Sequence, residues 1–68
     1  MNLNKIRELY EEENKQGKEL IIKNYKEMCK ILDEEETGGD SKKSQIKEWN
    51  RYFDFTRDGQ KYIIREIM

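Results

Sequence analysis

The sequence predicts a small α+β domain with three helices and a small antiparallel sheet, in the order helix, strand, helix, helix, strand, strand. Three observations carry that expectation. Apolar residues recur at helical spacing in three separate stretches. Short runs rich in β-branched or aromatic residues lie at 20–22, 53–55 and 62–64. Asp58-Gly59, a preferred hairpin-turn pair, falls between the last two of these runs. A chain of 68 residues has room for one small core, so a single domain over residues 1–68 is expected.

The first helix is expected over 3–14. Leu3, Ile6, Leu9 and Tyr10 form its apolar side, Asn2 or Asn4 is available as cap, and Glu11, Glu12 and Glu13 follow on the outward side. Asn14-Lys15-Gln16-Gly17 breaks the pattern. Residues 18–23 contain Leu20-Ile21-Ile22, too short for a helix and β-branched, and read as a strand. The alternative, a helix over 15–24, would give a helical bundle with a terminal hairpin. Asn24 caps a second helix over 25–33, with Glu27 three positions on and Tyr25, Met28, Cys29 and Leu32 on one face.

Glu34 to Asp40 reads as a connecting turn, because Gly38 and Gly39 each cost a helix about 1 kcal/mol relative to Ala. Asp40 or Ser41 is expected to cap a third helix over 41–53, whose buried stripe is Ile46, Trp49 and Phe53. Lys43, Lys47 and Arg51 form a separate row on that helix, with Ser44 beside it. For the hairpin, Asp58 and Gly59 are taken as the loop, which sets Arg57 opposite Gln60, Phe55 opposite Tyr62 and Phe53 opposite Ile64. That register gathers Phe53, Phe55, Tyr62 and Ile64 on one face. A lone hairpin is marginal in water, so the 18–23 strand has reason to join it as a third strand. The resulting connectivity is that of a winged helix-turn-helix.

Composition excludes several classes of function. Cys29 is the only cysteine and histidine is absent, which rules out a disulfide framework, a thiolate zinc cluster and a Cys-His nucleophile pair. Cys29 lies on the apolar stripe and reads as packing. The runs Glu11-Glu12-Glu13 and Glu34-Glu35-Glu36 point in successive directions around the chain, the pattern of solvated surface rather than paired catalytic carboxylates. No enzyme, cofactor or metal is expected. The longest apolar runs are far short of a membrane span, and the N-terminus lacks the apolar core of a signal peptide, so a cytoplasmic protein without a membrane partner is expected.

Charge is divided along the chain. Residues 1–40 carry seven Lys or Arg against eleven Asp or Glu, a balance of −4, whereas residues 41–61 carry six against three, a balance of +3. Local basicity of this kind is the footprint expected where a protein meets nucleic acid. The stretches Asn24-Tyr25-Lys26-Glu27-Met28-Cys29-Lys30-Ile31-Leu32 and Ser41-Lys42-Lys43-Ser44-Gln45-Ile46-Lys47-Glu48-Trp49-Asn50-Arg51-Tyr52-Phe53, followed by the Asp58-Gly59 hairpin, resemble the winged-helix domains of Gram-positive phages, plasmids and mobile elements. In that family the third helix is generally the recognition helix and the hairpin is the wing. The resemblance therefore implies contact with double-stranded DNA through Lys42, Lys43, Ser44, Lys47 and Arg51.

In a helix-turn-helix the start of the recognition helix meets base edges while other groups fix position on phosphates. Lys42, Lys43, Ser44 and Gln45 would occupy that first turn, Lys47 and Arg51 would lie along the phosphates, and Arg57 and Lys61 flank the wing turn. Trp49, between Ile46 and Phe53, reads as core rather than as a base-stacking residue. A homodimer reading two half-sites is the usual remedy for weak monomer binding, with the outer face of the first helix or the strand edge around Arg65 to Met68 as contact. A second reading stays open: a small phage-type module that inhibits a host defence protein through an acidic face made of Glu11 to Glu13 or Glu34 to Glu36.

Overall fold

The computed structural model describes residues 1–67. Six elements follow in the predicted order: α1 Leu3–Lys15, β1 Leu20–Ile22, α2 Tyr25–Leu32, α3 Gly39–Trp49, β2 Phe53–Asp58 and β3 Lys61–Ile67. The strands form one antiparallel sheet in the order β1-β3-β2, so the early strand joins the hairpin through β3. The chain is an α+β domain of three helices and a small three-stranded sheet.

Local chemistry sets the first half. The Asn2 side chain caps α1 by accepting from the Asn4 N–H at 3.0 Å. Asn2 also donates its own backbone N–H to the Leu32 carbonyl at 2.7 Å, which ties the start of α1 to the end of α2. Beyond α1 the chain reverses at Gly17, whose φ of +71° is a left-handed conformation that suits glycine. β1 then alternates, with Leu20 and Ile22 buried and Ile21 exposed, a period-two pattern that a helix over 15–24 could not satisfy. Asn24 caps α2 by accepting from the Glu27 N–H at 2.9 Å. Asp33, in the left-handed region at φ 55°, ends it.

α3 departs from expectation at both ends. It begins at Gly39 with Gly38 as cap residue, so neither Asp40 nor Ser41 caps it. Asp40 sits in the first turn instead, where a carboxylate opposes the positive end of the helix dipole. The helix stops at Trp49 rather than at 53. Arg51 N–H donates to the Glu48 carbonyl and Tyr52 N–H to the Trp49 carbonyl, both at 3.0 Å, and these tighter bonds turn the chain into β2. Phe53 thus belongs to a strand. Its spacing from Ile46 and Trp49 matched a helical stripe, but its partner in packing is Phe55 two residues on, with ring centroids 5.5 Å apart.

The hairpin loop is Gly59-Gln60, not Asp58-Gly59. Asp58 pairs with Lys61, Arg57 with Tyr62 and Phe55 with Ile64. Gly59 has φ +64° while Gln60 does not take a positive φ, the sign pattern of a type II′ turn with glycine first. Moving the loop by one residue moves the pairing by two, which leaves every side chain on its predicted face. Phe53, Phe55, Tyr62 and Ile64 are accordingly all buried. A bulge follows at Arg65, the residue left over between the Phe55–Ile64 and Asp54–Glu66 pairs. It is held by α1 and by the residue before β1: Tyr10 Oη donates to the Arg65 carbonyl at 2.8 Å, and Arg65 Nη1 lies 2.7 Å from Glu19 Oε1. The extra residue allows Ile67 to pack on the core side opposite Phe53.

The core lies between the helices and the sheet. Ile6 from α1, Met28, Cys29 and Leu32 from α2, and Trp49 from α3 meet Leu20, Ile22, Phe53, Phe55, Tyr62 and Ile64 from the strands. Trp49 is fully buried and meets Tyr62 edge-on, with centroids 6.0 Å apart, which agrees with its reading as core. Burial pushes the Cys29 thiol above its ordinary value, with a smaller opposing effect from the neighbouring Tyr25 hydroxyl. That is the environment of a packing cysteine rather than a reactive one.

Candidate nucleic-acid interface

The orientation of α3 is set from its inner side. Trp49 packs against Tyr25 at 5.8 Å between centroids, and Ile46 packs against the core. A polar network joins the same side to the preceding turn. Trp49 Nε1 donates to Glu34 Oε1 at 2.7 Å, and Gln45 Nε2 donates to the same oxygen at 3.2 Å and to the Glu35 carbonyl at 3.1 Å. The Gln45 side-chain oxygen accepts from the Tyr25 hydroxyl and from Thr37 Oγ1.

Two sequence expectations change here. Gln45, which the sequence puts within reach of bases but nearer the packing side of the helix, has its donors and acceptor committed inside the protein. Glu34 is not a solvated member of an acidic run but the anchor of α3. Charge-run reasoning missed it because the partners of Glu34 lie 11 and 15 positions away.

With that side buried, Lys43, Ser44 and Lys47 share the exposed side of α3, together with Glu48. Arg51 is displaced from the helical row, because α3 has already ended. It stands in the following turn, with Nη1 3.6 Å from Glu48 Oε2, a largely exposed pair of little energetic weight.

Lys42 also departs from the row. Its Nζ lies 4.4 Å from the centre of the Tyr25 ring, a cation–π contact that turns it towards α2. There it lines a cleft of about 310 Å³ with Tyr25, Lys26, Glu36, Arg57 and Gln60. Arg57 reaches this cleft from β2, with its guanidinium 4.9 Å from the centre of the Tyr62 ring. Lys61 is exposed opposite Asp58 at the start of β3 and does not line the cleft.

The expected residues therefore form two groups rather than one. Lys43, Ser44 and Lys47 form an outward face on α3, and Lys42 and Arg57 meet in the cleft, with Arg51 and Lys61 apart from both. Lys26 joins the second group without having been singled out in the sequence. Its off-stripe position in α2 was visible, but nothing local links it to a residue of the β2–β3 hairpin. Among the described residues, Lys26, Lys42, Lys43, Lys47, Arg57 and Lys61 make no ion pair. Three of these cations face one carboxylate, Glu36, around the cleft.

Comparison with known protein families, with curated proteins and with solved structures finds no match. Among the described residues no helix is long and apolar enough to cross a membrane.

Proposed function

We propose that the chain is a winged-helix domain that binds double-stranded DNA, with α3 as recognition helix and the β2–β3 hairpin as wing. The fitting context is a transcriptional regulator, or a replication or excision accessory factor, of a phage or mobile element. One observation carries the reading: α3 turns an unpaired Lys43-Ser44-Lys47 face to solvent, beside a cleft where Lys26, Lys42 and Arg57 gather without ion-pair partners. Lys43 and Ser44, in the second turn of α3, then address base edges in the major groove. Lys47 and the cleft cations neutralise phosphates, and the cleft position of Lys42 assigns it to the backbone rather than to bases.

The test is fluorescence anisotropy with native flanking DNA and random DNA across a salt series. Each cation that neutralises a phosphate contributes about −0.9 to the slope of log K against log salt, so Lys26→Ala/Lys42→Ala should flatten the slope by nearly 2 for both DNAs. Lys43→Ala/Lys47→Ala should abolish the preference for flanking DNA while thermal unfolding stays cooperative. Unchanged binding in these variants, or no binding at low salt, refutes the reading.

A second reading, inhibition of a host defence protein through an acidic face, is favoured by Glu11 and Glu12, which are exposed on α1 and make no ion pair among the described residues. Of the second acidic run Glu34 is engaged internally, while Glu35 and Glu36 stay exposed. A host protein retained stoichiometrically on the purified chain and released by Glu11→Gln/Glu12→Gln would establish it.

A further inference from the structure

The sheet is open at β1. β3 covers one side of this strand and no strand covers the other among the described residues, so its outward backbone groups lack ladder partners. Ile21, at its centre, is 52% exposed. It lies in register with Ile63 of β3, which is itself in register with Thr56 of β2. An apolar row thus crosses the outer face and ends abruptly at the open edge. A groove of about 420 Å³ lies at the same edge, lined by Leu9, Leu20, Ile21, Ile22 and Ile31 together with Lys23 and Glu27.

We infer that the occupant of this edge is β1 of a second copy, paired antiparallel about a twofold axis at Ile21. The sequence Glu19-Leu20-Ile21-Ile22-Lys23 is self-complementary in that register alone. Ile21 meets its own counterpart, Leu20 meets Ile22, and Glu19 of each copy faces Lys23 of the other. An isologous contact requires such reciprocity, since each residue must find its partner on an identical surface. Period two puts Glu19, Ile21 and Lys23 together on the outer face, where cross-strand pairs of opposite charge and of β-branched residues stabilise a ladder.

The charges fit what is already present. Lys23 makes no ion pair among the described residues, and Glu19, half-exposed, bonds Arg65 through one oxygen and leaves the other open. The twofold sets Glu19 between Arg65 of its own chain and Lys23 of the second copy. The result is one six-stranded antiparallel sheet with the row Ile63-Ile21 continued into the second copy as Ile21-Ile63. The contact is small, so the dimer forms at high protein concentration and dissociates on dilution. This inference stands apart from the DNA reading and is measured without DNA.

Sedimentation equilibrium of the full chain from micromolar to millimolar concentration tests it. The wild type should pass from monomer to dimer. Glu19→Lys and Lys23→Glu each set two pairs of like charge against one another and should weaken the dimer at least about tenfold. An equimolar mixture of the two variants restores both pairs, because the lysine introduced by Glu19→Lys faces the glutamate introduced by Lys23→Glu while Lys23 of the first variant faces Glu19 of the second, and should recover dimerisation. Circular dichroism melts establish that each variant is folded, and Lys23→Glu disturbs no ion pair seen within the chain. A wild type that stays monomeric at millimolar concentration overturns the inference and leaves the edge to a strand of another protein. A dimer indifferent to the single reversals, or a mixture that fails to recover, overturns it equally.

Discussion

Replacing Glu34 by alanine should destabilise the domain far more than its place in a run of three glutamates would imply. The structure fixes the size of the effect. Glu34 Oε1 accepts from Trp49 Nε1 at 2.7 Å and from Gln45 Nε2 at 3.2 Å, and Trp49 is fully buried. A hydrogen bond to a charged group contributes about 1.5–3 kcal/mol, and a buried donor left without partner costs a similar amount. Gln45 keeps its bond to the Glu35 carbonyl, and Glu34 is only half-buried, so the lower part of that range applies, about 2 kcal/mol. For a domain of this size such a loss lowers the Tm by about 8–16 °C. The assay is thermal and urea unfolding followed by circular dichroism. Glu35→Ala is the control: its side chain is exposed and only its carbonyl serves the network, so it should stay within about 0.5 kcal/mol of wild type. Glu34→Gln, which retains an acceptor oxygen, should recover part of the loss. The reasoning fails if Glu34→Ala and Glu35→Ala behave alike, or if Glu34→Ala costs as much in a Trp49→Phe background, where the indole donor is gone.

Two further outcomes follow from buried groups. The Tyr62 hydroxyl is buried without a hydrogen-bond partner among the described residues, while its ring packs edge-on against Trp49 and Phe55. Tyr62→Phe keeps those ring contacts and removes the unsatisfied group, so it should raise unfolding free energy by about 1 kcal/mol in urea titrations, and a loss of stability would show that the hydroxyl is satisfied in solution. Burial also raises the titration of Cys29 above 9.0 and of Tyr62 above 10.0. Each folded value lies above its unfolded one, so the folded state holds its proton longer and this stability is fully present below pH 9.0 and lost as pH climbs through the raised values. Urea midpoints should therefore fall on the alkaline side of pH 9.0, and Cys29→Ala should shallow that slope; a midpoint that rises there contradicts the assignment.

What could be read from sequence was what neighbours decide. Asn24 and Glu27 form a cap within one turn, and Leu20-Ile21-Ile22, too short for a helix and β-branched, reads as a strand. The end of α3 was illegible because Phe53 suits a helical stripe and a strand equally, and only Phe55 and the sheet beyond it choose the strand. The hairpin register escaped for a sharper reason. Asp58-Gly59 and Gly59-Gln60 both place Gly59 where φ is positive, and the two pairings differ by two residues, so they bury the same side chains. Hydrophobic pattern cannot separate such registers. Lys26 as a cleft residue and Glu34 as an anchor were invisible because their partners come from other elements.

The proposed DNA-facing residues depend on that anchor more than on any contact of their own. Lys43 and Lys47 make no ion pair among the described residues, so nothing on the outward side of α3 fixes its rotation. Gln45 and Trp49, four residues apart, lie on one face, and a single oxygen of Glu34 accepts from both. Ile46 and Trp49 pack inward, but apolar packing is non-directional and tolerates slippage, whereas two hydrogen bonds converging on one carboxylate do not. One residue around a helix is about 100°, enough to carry Lys43 from solvent towards α2. The acidic turn, which by charge alone would oppose DNA, thus performs its structural task through the very carboxylate that holds the basic face outward.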